Sequence, residues 1–171
     1  MPLRGFVIVR PPKIRRGASL TLRKDLDIAL KDAMKAREER AVSTLRLILA
    51  ALKDRDIAAR GKGRPEGVTD DEILQMLQTM VRQRHESIEF YEKGGRQELA
   101  QQEREEIAVI ERFLPRQLEG PELEAALKKA IEETGAKNLK DMGKIMAKLR
   151  ADYAGRMDFA KASALIKSLL A

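Results

Sequence analysis

The fold class of this chain is decided by residues 95–118, which read GRQELAQQEREEIAVIERFLPRQL. Apolar side chains recur there at intervals of three and four residues between charged ones, which predicts one amphipathic helix over about residues 97–114. Pro115 ends this helix because proline lacks the amide hydrogen that an interior helical residue donates. Gly94 and Gly95 end the helix before it. This part of the chain therefore predicts an antiparallel helical hairpin that turns near residue 95.

The same helical periodicity continues through the chain after residue 19, and no segment there shows the alternation typical of a strand. Thr69 and Glu72 form the capping box that opens one helix, and Asp158 caps the last one. The predicted helices cover about residues 20–37, 39–59, 70–92, 97–114, 121–135, 138–149 and 159 onward. The fold class is all-α, with an N-terminal helical hairpin or bundle subdomain over residues 19–115 and a smaller C-terminal three-helix subdomain over residues 119–171.

The composition narrows the class of protein. A chain of 171 residues can bury a core in one or two small domains. It contains no cysteine, which excludes disulfides and thiolate chemistry and favours the cytoplasm. No apolar run approaches the roughly 18 residues of a membrane helix, so no membrane partner is expected. Four Phe, two Tyr and no Trp argue against a base-stacking platform for single-stranded RNA.

The net charge of +7 is unevenly distributed along the chain. Residues 1–18 carry five basic side chains and no acid, which leaves 29 basic and 27 acidic side chains in residues 19–171. The bulk charge of the folded part therefore does not by itself indicate nucleic-acid binding. The basic leader, residues 1–18, is predicted to be a disordered tail or the result of an upstream start codon. A transit peptide is the alternative, although Pro11 and Pro12 break an amphipathic helix there.

Polar side chains on apolar helix faces indicate ionic partners within the hairpin. Arg84 on the third helix and Glu106 on the fourth lie inside apolar arcs, where an unpaired charge is costly. A hairpin that turns near residue 95 brings position 84 opposite 106 and position 87 opposite 103. We therefore predict an Arg84–Glu106 ion pair, with Ser87 near Glu103. A metal-binding or acid–base role for Glu103 and Glu106 is the alternative, but no Glu-x-x-His accompanies them.

No constellation typical of catalysis is recognisable. His85 is the only histidine, and neither a cysteine nor a second histidine is available to share a metal with it. A Gly-x-Ser-x-Gly nucleophile elbow is also missing from the sequence. The loop Gly61–Gly67 lacks the Gly-Lys-Ser/Thr of a phosphate-binding loop. We interpret this loop as a flexible connector, with a backbone contact to RNA phosphate as the alternative. The chain is predicted to carry no catalytic residue, metal or cofactor.

The sixth helix is the clearest candidate for contact with nucleic acid. Its lysines recur every four residues on one side, and its predicted buried side carries Leu139, Met142, Met146 and Leu149. The lysine side has no acid of its own, although Asp141 lies at its edge. Such a face could follow backbone phosphates, but exposed lysines also serve solubility. The candidate nucleic-acid-binding residues are Lys137, Lys140, Lys144, Lys148, Arg150 and Arg156.

Several segments resemble the GatB/YqeY family, whose members are small all-helical proteins similar to the C-terminal region of the B subunit of tRNA-dependent amidotransferase. The most specific are the Gly-Arg opening at residues 95–96, the acidic helix that follows, and the Leu-Pro-Arg-Gln-Leu exit at residues 114–118. The others are Lys31–Ala36, Ser43–Ile48, Ala51–Lys53, Arg82–Arg84, Glu86–Ile88 and Asp141–Met146. Together they extend the resemblance over about residues 19–171.

The resemblance implies a relative of a tRNA-binding module. In the amidotransferase this helical region contacts tRNA, whereas glutamine hydrolysis, ammonia transfer and kinase-like activation reside in other domains or subunits. A similar region is appended to some glutaminyl-tRNA synthetases. The main hypothesis is a non-catalytic tRNA-binding or translation accessory protein, whose partners are tRNA and a synthetase or amidotransferase. Because the family carries a glutamine-dependent carbon–nitrogen ligase label, an amidotransferase component is an alternative.

A protein-interaction module with no RNA role is the remaining hypothesis. The near-neutral charge of residues 19–171 and the low aromatic content favour it. Steep weakening by salt would indicate phosphate binding instead. On the sixth helix, Gly143→Leu should damage packing if Gly143 allows close approach of another helix. Lys144→Glu should spare stability but weaken RNA binding.

Overall fold

The computed structural model describes residues 21–170, which form seven α-helices and no strand. The elements are α1 (Leu22–Ala36), α2 (Glu39–Gly61), α3 (Asp70–Lys93), α4 (Gln97–Glu111), α5 (Gly120–Thr134), a 3₁₀ turn (Leu139–Asp141), α6 (Met142–Asp152) and α7 (Phe159–Leu170). The all-α prediction is confirmed. None of the described helices is both long and apolar enough to cross a bilayer. The predicted basic leader, residues 1–18, lies outside the described residues.

Local chemistry accounts for three of the helix ends. The capping box predicted at the start of α3 is present, because Thr69 Oγ1 accepts from the Glu72 amide and the Glu72 carboxylate accepts from the Thr69 amide. Gly135 ends α5 in the left-handed conformation that glycine adopts without strain. Asp158 begins α7, since its Oδ1 accepts from the Ala160 amide at 2.9 Å. Side chains that the sequence shows locally therefore fix these ends.

Two helices, α4 and α6, differ from the prediction at their ends. Helix α4 ends at Glu111 rather than near Leu114, and two short backbone turns carry the chain to Pro115. The clash of a proline ring with the preceding residue disfavours helix before the proline itself, so the helix unwinds early. The sixth helix opens with a 3₁₀ turn and continues to Asp152, beyond the predicted end at Leu149.

The N-terminal subdomain is a bundle of α1–α4. Helices α1 and α2 form one antiparallel pair, while α3 and α4 form the hairpin predicted around residue 95. Their inner faces share a core whose largest fully buried side chains are Leu26, Ile48, Ile73, Met76, Leu77 and Ile110. A smaller cluster of Ile88, Ala100 and Ile107 closes the far end of the α3–α4 hairpin. Burial of these apolar surfaces is the main force that holds the bundle together.

The C-terminal subdomain packs α5, α6 and α7 around a separate core. Its fully buried large side chains are Leu127, Ile145, Leu149, Met157 and Ile166. Leu139, predicted to lie on the buried side of the sixth helix, is instead 53% exposed, and Leu169, whose spacing from Ile166 in α7 also predicts an inward position, is 47% exposed. Leu139 lies in the 3₁₀ turn, where the helical register that the prediction assumed is not followed. Leu169 lies in the last turn of α7, past the end of the core.

A set of glutamine contacts joins the two subdomains. The Gln117 amide nitrogen donates to the Gly155 carbonyl at 2.6 Å, in the turn between α6 and α7. Gln78 of α3 donates to the Gln117 side-chain oxygen at 3.0 Å and to the Met157 carbonyl at 2.8 Å. The Leu118 amide donates to the carbonyl of the next residue in that turn, Arg156, at 2.7 Å. These bonds fix the α6–α7 turn against α3, so α6 has a defined position relative to the bundle.

Candidate nucleic-acid interface

The exposed side of α6 is a strip of small residues with cations on both flanks. Ile145 and Leu149 anchor the helix in the core, and Gly143, Ala147 and Ala151 lie exposed on the opposite side. Lys144 lies on one flank of this strip and Arg150 on the other, about a third of a turn apart at 3.6 residues per turn. We call this surface the α6 strip. A polyanion could approach its backbone closely and meet positive charge on both sides.

Gly143, in the α6 strip, does not contact another helix. Apart from the backbone of its own helix and its chain neighbours, a Cβ at position 143 would meet no atom of the described residues within 4 Å. The close helix approach expected at Gly143 is therefore absent, because this residue faces away from the core rather than toward a neighbouring helix.

Lys148, one of the predicted phosphate contacts, is bound by two carboxylates. Its Nζ lies 2.9 Å from Asp152 Oδ2 and 3.0 Å from Glu133 Oε2 of α5. The hydrogen bonds from Asp152 and Glu133 raise the pKa of Lys148 to about 12. The expectation that this face carries no acid is thus wrong at its C-terminal end. Lys148 ties α6 to α5 and has less charge to offer a phosphate than its neighbours do.

The remaining predicted cations differ in their surroundings. Lys144 lies 3.7 Å from Asp141 in an exposed pair, which is worth little in solvent. Lys137 and Lys140 are exposed and, within residues 21–170, their ammonium groups have no carboxylate within 4.0 Å, although the Lys137 backbone amide donates to Asp141 Oδ2 at 3.1 Å. Arg156 is half-buried and donates from Nε to the Arg116 carbonyl at 3.4 Å. Three lysines and Arg150 therefore form the part of the predicted set that is open to solvent.

Charge is segregated between the two parts of the described chain. Residues 136–170 carry eight basic and three acidic side chains, whereas residues 21–135 carry 21 basic and 24 acidic ones. The net positive charge of the described residues thus comes from residues 136–170, which form α6, α7 and the turns beside them. This separation is invisible in the near-neutral total.

Arg84 and Glu106 lie together between α3 and α4. Arg84 Nη2 is 2.8 Å from Glu106 Oε2, and Arg84 Nε donates to the same oxygen at 3.0 Å. Both side chains are largely buried, with exposed fractions of 12% and 18%. Arg40 of α2 adds a contact of 3.8 Å to Glu106. The pair therefore connects three helices of the bundle.

Glu103 and Ser87 belong to the same region but do not contact each other by a hydrogen bond. Glu103 lies 3.9 Å from Arg84 Nε, and burial followed by the charge of Glu106 raises the pKa of Glu103. Ser87 Oγ donates instead to the Gln83 carbonyl one turn earlier. The two carboxylates thus share one arginine. Within the described residues, no group of three or more His, Cys, Asp or Glu side chains is placed to hold a metal ion.

An ion pair that the sequence patterns above did not predict closes the loop between α2 and α3. Asp56 is 7% exposed and accepts hydrogen bonds from both terminal nitrogens of Arg23 and from the Val68 amide. Arg23 Nη2 also donates to the Val68 carbonyl at 2.7 Å. The Arg23 hydrogen bonds lower the pKa of Asp56 to about 2. A signal existed in the sequence, because Asp56 follows Leu52 by four positions on the inward face of α2.

The loop after α2 is therefore held at its end rather than free along its length. Gly67 adopts a positive φ of 82° and packs directly against the Asp56 carboxylate, where a side chain would collide. Gly61 and Gly63 lie in open space.

His85, the histidine considered as a metal ligand, is exposed on α3.

Similarity to curated proteins points to fungal relatives. The chain is 31% identical over 86 residues to an uncharacterised protein of Schizosaccharomyces pombe, covering 50% of this chain and 66% of that protein. It is 33% identical over 93 residues to "Altered inheritance of mitochondria protein 41, mitochondrial" of Lachancea thermotolerans, covering 54% of this chain and 46% of that one. The protein of the same name from Eremothecium gossypii is 33% identical over 85 residues, 44% of its length. The chain thus spans under half of the two mitochondrial relatives.

A family match covers far more of the chain than these relatives do. The model described as YqeY, Yqey-like protein, matches residues 23–170. This range begins in the first turn of α1 and ends with the last residue of α7, so it includes the bundle, the glutamine-linked junction and the three-helix subdomain. With both subdomains inside one match, the chain belongs to the YqeY-like family.

Proposed function

We propose that this protein is a tRNA-binding accessory module whose α6 strip contacts backbone phosphates. The observation that carries the proposal is the segregation of positive charge into residues 136–170, where Lys137, Lys140 and Lys144 are open to solvent. The resemblance to the helical tail of the amidotransferase B subunit supplies the class of RNA. A synthetase or amidotransferase acting on the same tRNA is the proposed protein partner.

The chemistry of the strip favours recognition of shape over sequence. Lysine and arginine position an RNA through its phosphates and carry no base information by themselves. The groove of an A-form helix that holds most of the base edges is too deep and narrow for side chains to read. The small residues at 143, 147 and 151 let a phosphate backbone come close to the helix. We expect a surface that binds structured tRNA with little preference among sequences.

A charge-matched comparison on the full chain tests this proposal. The test variant is Lys137→Glu/Lys140→Glu/Lys144→Glu, and the control is Lys31→Glu/Lys53→Glu/Lys93→Glu, whose lysines are also exposed. Both variants change the net charge equally, and both keep the basic leader. Binding of labelled bulk tRNA is measured by fluorescence anisotropy at low and moderate salt.

We expect only the Lys137/Lys140/Lys144 variant to lose most of its affinity, and its salt dependence to become shallower by roughly two to three counterions. Equal losses in both variants would mean that only net charge matters, and the α6 strip would not be the site. Failure of the wild-type protein to bind tRNA at any salt would refute the proposed function.

A second candidate function, protein interaction without RNA, is supported by a different part of the molecule. Large apolar side chains are exposed on the N-terminal bundle, among them Leu47 at 53%, Ile57 at 56% and Phe90 at 75%. Binding through such side chains would change little with salt. It would weaken on Leu47→Ser and Phe90→Ser, which leave the α6 strip intact.

The cytoplasm is the compartment proposed for this module. The absence of cysteine suits a reducing compartment without requiring one. The names of the relatives in Lachancea and Eremothecium contain the word mitochondrial, and that label belongs to those proteins. Cell fractionation of the native protein tests the assignment, and recovery in the mitochondrial fraction would refute it.

A further inference from the structure

A polar cleft lies where the two subdomains meet, next to the α6 strip. It encloses about 130 Å³ between α3 and the beginning of α7. Its walls include Gln75, Thr79 and Arg82 from α3, and Arg150, Asp158 and Phe159 from the C-terminal subdomain. Arg150 also forms one flank of the α6 strip, so the cleft and the strip are continuous through a single side chain.

The two arginines of the cleft, Arg82 and Arg150, have N–H donors that are not hydrogen-bonded within the described residues. Arg82 lies 3.7 Å from Asp158 and 4.0 Å from Glu86, both longer than a hydrogen bond. Arg150 rests over the Phe159 ring, with 5.9 Å between the guanidinium carbon and the ring centroid. Among residues 21–170, the contacts of these two guanidinium groups are the two long ion pairs of Arg82 and the ring contact of Arg150, and neither group donates a hydrogen bond. Two planar forks that each match the oxygens of a phosphate therefore line one cleft.

Asp158 is the acid that opposes an anion in this cleft. Its Oδ1 is already engaged by the Ala160 amide at 2.9 Å and the Lys161 amide at 3.3 Å, as the cap of α7. It is therefore held in place by the helix and not by Arg82. Glu86 is the other nearby carboxylate, one turn along α3 and 63% exposed. An incoming phosphate would compete with Asp158 for Arg82 without uncapping the helix.

We propose that this cleft binds a backbone phosphate of the same RNA that lies on the α6 strip, so that the RNA spans both subdomains. The inference rests on the proposed function. Arg82 supplies the contact from the N-terminal bundle, and Arg150 connects it to the strip. Asp158 acts as an internal competitor that limits the affinity of the site. The glutamine contacts at the junction hold Arg82 and Arg150 in fixed relation before the RNA arrives.

Two substitutions that break the same long ion pair should have opposite effects on RNA affinity. Arg82→Gln removes a phosphate contact, so the affinity of the full chain for labelled tRNA should fall about three- to tenfold, with a salt slope shallower by about one. Asp158→Asn removes the competing charge but keeps the cap of α7, because Asn caps a helix about as well as Asp. It should bind tRNA more tightly than the wild type, by about two- to fivefold.

Arg46→Gln is the matched control, since Arg46 is exposed on α2 and the change in charge is the same as in Arg82→Gln. Circular dichroism melting confirms that each variant is folded. If the Arg82–Asp158 pair were only structural, both substitutions would loosen the junction and shift affinity in the same direction. That result would overturn the proposal, as would an Arg82→Gln variant that binds like Arg46→Gln. Should Arg82→Gln fail to fold, Asp158→Asn decides alone, and no gain in its affinity overturns the proposal.

The outcomes separate this inference from the function beneath it. If the α6 lysine variant loses tRNA while Arg82→Gln matches its control, the α6 strip stands and the cleft does not. If the Lys137/Lys140/Lys144 variant keeps its tRNA, the α6 strip is not the site, and the cleft, which is argued as its continuation, fails with it; if the wild type binds no tRNA, the proposed function itself fails. Calorimetric titration with inorganic phosphate tests the free anion as the ligand. Binding of phosphate alone by the wild type, abolished in Arg82→Gln, would assign the cleft to a small anion and overturn the RNA assignment.

Discussion

Replacing Asp56 should be among the most damaging single changes in the N-terminal bundle. This carboxylate is buried against Arg23 and Val68, and it closes the loop that returns the chain from α2 to α3. Asp56→Ala leaves a guanidinium group without its anion and a buried amide without its acceptor. Both are costly, because a buried donor that loses its partner keeps its full desolvation penalty.

Two estimates of the magnitude, which rest on the same Arg23 and Val68 hydrogen bonds, are of similar size. A hydrogen bond to a charged group contributes about 1.5–3 kcal/mol, and an unsatisfied buried amide costs about 1–3 kcal/mol, with the two overlapping in one site. The fall of the Asp56 pKa from 3.8 to about 2 corresponds to roughly 2 kcal/mol after allowance for the partial exposure of Arg23. We expect Asp56→Ala to lower the free energy of unfolding by about 3 kcal/mol, or the melting temperature by roughly 5–10 °C.

The pKa gives this prediction a second signature. A carboxyl group whose pKa is lowered by folding stabilises the protein fully above its unfolded pKa, and this stabilisation disappears as the pH falls through the folded pKa. The stability gap between wild type and Asp56→Asn should therefore be widest above pH 4 and shrink between pH 4 and about pH 2. Glu72, whose pKa is also lowered to about 2, is present in both proteins and cancels in the comparison.

Urea denaturation followed by circular dichroism from pH 7 to pH 2 measures both signatures. Asp54→Asn is the control, because Asp54 is exposed on the same helix two positions away. If Asp56→Ala lowers the free energy of unfolding by less than 1 kcal/mol at pH 7, Asp56 does not stabilise this loop as argued. The same conclusion follows if the difference in stability between wild type and Asp56→Asn stays constant from pH 5 to pH 2.

Four further substitutions test other parts of the structure by the same denaturation assay. Arg84→Ala leaves two largely buried carboxylates without their shared cation and should cost about 2–3 kcal/mol; unchanged stability would contradict the network between α3 and α4. Gly155→Ala should cost about 2 kcal/mol, because this glycine has a φ of 71° and a side chain there would lie 2.6 Å from Leu74 Cδ1. Gly63→Ala, also at positive φ but in open space, should cost only half as much, and equal losses would show that the contact with Leu74 is unimportant. Gly143→Ala should stabilise the protein by about 0.5 kcal/mol, since the position is exposed and helical; a loss instead would mean that it packs against something.

The order of the helices could be predicted because it depends on local sequence. The spacing of apolar residues, the Thr69–Glu72 capping box and the glycine after α5 act within a few residues of themselves. The opposition of Arg84 and Glu106 also followed from local information, since one turn near residue 95 fixes which positions face each other. Helical hairpins thus allow some tertiary contacts to be read from the sequence.

The surroundings of the candidate site depended on contacts that no local pattern contains. Asp152 lies one helical turn from Lys148, but Glu133 reaches it from α5 only once the three-helix core has formed. Likewise, the local sequence does not predict whether Gly143 faces a neighbouring helix or solvent. The direction in which α6 faces is set by Ile145 and Leu149, whose burial is a property of the whole subdomain. Periodicity located the lysines, whereas packing decided which of them are available.

The exit motif at residues 114–118 has a physical explanation that bears on function. Pro115 stops the bundle, and two residues later the Gln117 side chain bridges α3 to the turn that leads into α7. A flexible linker at this point would let the α6 strip and Arg82 move independently, and a ligand that spans them would have to order them on binding. A glutamine bridge removes much of that cost in advance. A phosphate-binding surface confined to α6 would not depend on a fixed junction between the subdomains. A surface that continues across the cleft to Arg82 would depend on it, because its two parts lie on different subdomains. The motif by which the family is recognised in this sequence therefore lies where an RNA spanning both subdomains would need rigidity.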